Sequence, residues 1–187
     1  MRNPSRRGFL KAALAGSAVA GLAACTVTTS GNVTTITLNV AKVKAYGTAG
    51  VNAVSTVLSI TAVATAIGAP AVAVIEAASV ALDAALAAFA ASAGSSVTVS
   101  YDSTSFKTEV DTILSDLGTV ATDLESAISG ASTKVASADL SKATTALDAL
   151  KTIISVFEGL IGSVGARVAG PLFMSEAQAL RVLHVTP

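Results

Sequence analysis

One thiol, one imidazole and twelve carboxylates make up most of the reactive chemistry this chain could offer. The thiol is Cys25, the single cysteine, so no disulfide can close within the chain. The imidazole is His184, three residues from the end, and it is expected to be solvated or to sit at a helix terminus. A zinc site needs three or four ligands of these kinds, and one cysteine and one histidine far apart do not supply them. Among the carboxylates, Glu109, Asp116 and Asp123 recur every seven residues and so share one helical face. Each step is about 10.5 Å along a helix axis, beyond the roughly 5–9.5 Å that paired glycosidic acids require. The row is expected to be a solvated stripe, or one that faces a partner. Serine chemistry fares no better. No G-x-S-x-G or S-x-x-K is present, and Gly162-Ser163-Val164-Gly165 has the wrong spacing for a nucleophile elbow. No glycine-rich phosphate cradle occurs either. The expectation is a protein without catalytic activity, cofactor or metal.

What precedes Cys25 gives that residue its meaning. Arg2, Arg6, Arg7 and Lys11 form a basic end, and residues 12–24 form a short apolar run rich in Ala and Gly. The run is too short to cross a bilayer core of about 30 Å, which takes about 20 apolar residues. Ser5-Arg6-Arg7-Gly8-Phe9-Leu10-Lys11 resembles the export signal of twin-arginine substrates, and Leu22-Ala23-Ala24-Cys25 resembles a lipobox. Together they resemble the leader of bacterial twin-arginine-exported lipoproteins. The resemblance covers residues 1–25 only, with no family recognised in the rest. It implies that residues 1–24 are a signal peptide, with Arg6 and Arg7 as the export signal. It also implies that Cys25 is lipidated on its thiol and on its new amine. Several chains matter, because one acyl chain gives only marginal membrane binding. The location implied is the periplasmic side of the cell envelope. Thr26 stands where some lipoproteins carry an inner-membrane Asp, which favours the outer membrane slightly.

Charge narrows the partners. Four of the twelve Lys and Arg lie in the leader, while all twelve Asp and Glu follow it. Cleavage would leave eight cations against twelve anions, a net charge of −4. Without basic clusters or tryptophan, nucleic-acid binding is not expected, and neither is attachment to anionic lipid by charge alone. The partners expected are the membrane, through the lipid anchor, and an unidentified protein.

Hydrophobic spacing predicts an all-α protein, an antiparallel bundle of about four helices forming a single domain over 33–187. Residues 25–32 read as the lipidated cysteine and a polar tether. Residues 33–46 fit strand and helix equally: Ile36, Leu38 and Val40 alternate, while Ile36, Val40, Val43, Gly47, Gly50, Val54 and Val57 share a helical face. An apolar hairpin is expected over 49–94, its arms meeting at Gly68-Ala69-Pro70, with the first arm ending near Ile67 and Pro70 in the first turn of the second. Residues 97–101 read as a short strand or an extended connector. Helices spaced in heptads are expected over 103–129 and 133–168. The first carries Phe106, Val110, Ile113, Leu117, Val120, Leu124 and Ala127, with Gly130 as its cap. The second carries a seam from Leu140 to Val168, after which Gly170-Pro171 breaks the chain. A short last helix over 175–184 is signalled by a Ser175/Gln178 capping box. An alternative role follows from the hairpin: residues 53–75 carry no charge and are long enough to enter a bilayer, as in lysis or pore-forming proteins.

Overall fold

Thr and Val crowd both sides of Gly31-Asn32, and these β-branched residues suit a pleated strand better than a helix. In the computed structural model, which describes residues 25–30, 33–101, 104–162 and 173–185, they form a hairpin. Strand β1 (Cys25–Ser30) pairs antiparallel with β2 (Val33–Asn39), from Cys25 opposite Leu38 to Ser30 opposite Val33. Strand β3 (Thr98–Ser100) pairs with the other edge of β2, placing Val99 opposite Leu38, so the sheet order is β1-β2-β3. The polar tether expected over 25–32 is thereby corrected, since residues 25–30 are an edge strand. Their polarity reflects partial exposure on that edge: Thr26 and Thr28 face solvent, while Ile36 and Leu38 of β2 are buried.

The ambiguous stretch divides at Asn39. Its side chain accepts the Lys42 backbone N–H at 3.2 Å and starts α1 (Val40–Leu58). The first arm of the hairpin does not run unbroken to Ile67. It ends at Leu58 and turns by 86° into α2 (Thr61–Ile67). Ser59 bonds the Thr56 carbonyl through its hydroxyl, a local bond that competes with helix continuation. The turn seats Val63 in the core. Gly68 then takes φ 81°, and α3 (Ala69–Ala93) begins with Pro70 in its first turn. Gly94, at φ 55°, ends α3 ahead of β3.

Helix α4 (Thr104–Ala131) passes through Gly130 instead of being capped by it. Its expected heptad face is buried from Val110 to Ala127, with Phe106 packed partly against the core. Helix α5 runs over Ser137–Gly162, four residues later than expected at its start, because 131–136 form a turn closed by the Lys134 and Val135 amides on the Ala131 carbonyl. Its buried face includes Ala146, Ala149 and Ile153 beside Leu147 and Leu150, wider than a two-position seam. That width is what a helix touching several neighbours requires. Helix α6 (Glu176–Val182) opens on Ser175, whose hydroxyl accepts the Gln178 N–H as the capping box predicts. The leader, Asp102 and Ser103 ahead of α4, and Val164, Val168 and Gly170-Pro171 lie outside the described residues.

Among the described residues, four long helices with two short ones and a small sheet thus share one core. Two pairs of aromatic rings meet within it: Tyr46 against Phe157 at 5.3 Å between centroids, and Phe89 against Phe106 at 6.3 Å. Gly50 lets α1 lie close to both α3 and α4. A Cβ there would overlap the side chains of Leu82 and Leu117, both fully buried. Gly50→Val should therefore cost about 2–3 kcal/mol by overpacking, lowering the melting temperature of the full chain by about 5–10 °C. An unchanged calorimetric melt would contradict this close approach.

Candidate functional site

Cys25, the residue expected to be lipidated, is in β1, opposite Leu38 and two strands from Val99. It therefore lies against the folded domain, with no linker between. Arg6 and Arg7 fall outside the described residues.

The three acids of α4 stay together, but they are not freely solvated. Glu109, Asp116 and Asp123 are each partly buried where α4 runs beside α3. Glu109 accepts a hydrogen bond from the Ser92 hydroxyl near the end of α3 through Oε1, while its Oε2 is buried without a partner. Burial raises the pKa of Asp116 above the usual carboxylate range. Asp123 lines a cleft of about 400 Å³ with Ala71, Val74 and Lys134. The reason is the neighbour: α3 packs along α4, with Ser92 at Glu109 and Ala71 and Val74 in the cleft of Asp123.

A second polar cluster, not signalled in the sequence, lines a cleft of about 600 Å³ between α4 and α5. The Tyr101 hydroxyl donates to Asp111 Oδ1 at 2.6 Å. Lys107 Nζ donates to Asp111 Oδ2 at 2.7 Å and to the Tyr101 oxygen at 3.1 Å, and lies 4.9 Å from the ring centre. Only the Lys107–Asp111 spacing of four was legible beforehand. Burial raises the Tyr101 pKa, aided by its bond to Asp111, and the same aspartate raises that of Lys107. Together these bonds tie the end of β3 to the first turns of α4.

A third group fastens α6 to α1. Glu176 Oε1 pairs with Lys42 Nζ at 2.7 Å and accepts the Tyr46 hydroxyl at 2.9 Å, while Asn52 donates to the Leu183 carbonyl at 2.9 Å. Burial, then the Glu176 carboxylate, pushes the Tyr46 hydroxyl far above the phenol range. That phenol is held as a neutral donor. His184 follows on this element, exposed at φ 54°. Val185 N–H reaches the Leu180 carbonyl and His184 N–H the Arg181 carbonyl, the bonding of a Schellman cap. It is a helix terminator, as its position suggests.

Among the described residues, no three His, Cys, Asp or Glu side chains converge as metal ligands. Comparison of the chain with protein-family models, curated proteins and solved structures found no match.

Proposed function

We propose that this is an exported, lipid-anchored protein of the bacterial cell envelope that works by contact with another macromolecule and not by catalysis. The observation that carries the reading is the pairing of Ser5–Lys11 with Leu22-Ala23-Ala24-Cys25 in one leader. The fold is compatible with it: Cys25 lies in an edge strand paired with β2. Acyl chains on Cys25 would hold the sheet beside the lipid surface with little slack. The core is built from apolar contacts, without a disulfide. That suits an export route carrying folded cargo.

The second reading, insertion of the 49–94 hairpin, rests on α3. Its 25 residues have a mean hydropathy of 1.9 in their most apolar stretch, of which 22% is buried. Yet α3 seats Ile75, Leu82, Leu86 and Phe89 in the core. Removing it would uncover their partners at about 1.5–3 kcal/mol per large side chain, a total comparable with the roughly 5–15 kcal/mol that holds a domain folded. The soluble arrangement is favoured.

The test is to produce the full chain in a bacterium with a twin-arginine pathway, label with a palmitate analogue and fractionate. The expected result is a labelled, shortened protein in the envelope fraction. Unlabelled protein, or label without envelope location, would overturn the proposal.

A further inference from the structure

The outer face of α3 is apolar, and among the described residues no other element covers it. Ala73, Ala77, Val80, Ala84, Ala87 and Ala91 are all exposed, spaced alternately by four and three along a crest of about 27 Å. Val74 and Val80 are 56% and 69% exposed, large fractions for such side chains in a chain with so well buried a core. Acids border the crest on both sides. Toward α2, Glu76 lines a cleft with Thr61 and Thr65, and Asp83 follows one heptad later. Toward α4 lie Glu109, Asp116 and Asp123, anchored to the two ends of α3 by the Ser92 bond and by the cleft shared with Val74.

None of these five acids forms a salt bridge among the described residues, although four lysines elsewhere each hold a carboxylate. Lys134 shares the cleft of Asp123, but its ammonium is directed to the Ala66 carbonyl at 3.4 Å. An apolar spine between two uncompensated acidic rows selects its occupant by charge. A second copy of this face would bring like charges together along its length. An anionic bilayer would be repelled in the same way.

We infer that the outer face of α3 docks an amphipathic helix of a partner protein, with a small-residue apolar stripe flanked on both sides by Lys or Arg. Small residues on both helices allow close approach, and the basic flanks meet the acidic rows one heptad at a time. This rests on the contact function proposed above and names the partner's chemistry.

The experiment uses protein purified from cells producing the full chain, titrated with two dye-labelled peptides of about three heptads. Both carry Ala and Leu on the apolar stripe. One has Lys on its flanks and the other Glu. Anisotropy should show binding of the Lys peptide that weakens as salt rises, and no binding of the Glu peptide. Glu76→Lys combined with Asp83→Lys should weaken the Lys peptide, because one of the two acidic rows then repels its flank. Val80→Ser should weaken the Lys peptide about tenfold with an unchanged melt, since Val80 is exposed. Equal binding of both peptides, or of neither, would overturn the inference. So would a dimer, or uptake onto neutral phosphatidylcholine vesicles, that Val80→Ser abolishes. Palmitate labelling of Cys25 reads the anchor separately, so loss of this inference would leave that reading standing.

Discussion

Replacing Cys25 with alanine is expected to abolish acylation completely while leaving the fold intact. The thiol is the chain's only one, so no other side chain can take a thioether-linked diacylglycerol. The fold should survive because Cys25 is the first residue of an edge strand, and the backbone pairing with Leu38 does not depend on side-chain identity. The variant should remain uncleaved at the inner membrane, or be released in soluble form where another peptidase trims it. Palmitate-analogue labelling reads the first outcome, and a thermal melt of the purified variant reads the second. Persistent label on the alanine variant would place the lipid elsewhere. Collapse of the melt would mean that Cys25 is a packing residue first.

Changing Arg6 and Arg7 to lysine together should have an effect as large, at an earlier step. The basic end keeps its charge, so a leader that only needs positive charge on the cytoplasmic side would tolerate the swap. Arginine, however, offers a planar fork of donors that an ammonium cannot reproduce. A leader read through its arginine pair should therefore fail, leaving full-length precursor in the cytoplasm. Fractionation distinguishes the two routes. Normal export of the lysine pair would remove the twin-arginine assignment while leaving the lipobox in force.

Much of the helical plan was legible because its signals are local. The 3- and 4-residue spacing from Phe106 to Ala127 identified the buried face of α4, and Ser175 and Gln178 marked the start of α6. Gly68 and Pro70 marked the joint before α3. The candidate site was legible only in part. Glu109, Asp116 and Asp123 could be placed on one face, but their partial burial depends on the approach of a different helix. Tyr101 joined Lys107 and Asp111 only because β3 ends beside the first turns of α4.

By itself, the sequence carried the resemblance of residues 1–25 to an export leader, the lone thiol and the order of the four long helices. Each depends on residues close together in the chain, and periodicity records such relations directly. The tertiary structure decided the rest. It paired residues 25–30 with β2, where their Thr and Ser had read as a tether, because strand pairing is settled by a partner and not by polarity alone. It showed Gly47 and Gly50 as points where α1 meets leucines of neighbouring helices, a packing role that outweighs their helix-propensity cost. It also left the outer face of α3 open between acids from two helices. A helix apolar on nearly all sides reads as buried, yet burial is set by how many neighbours reach it, and here they reach one side.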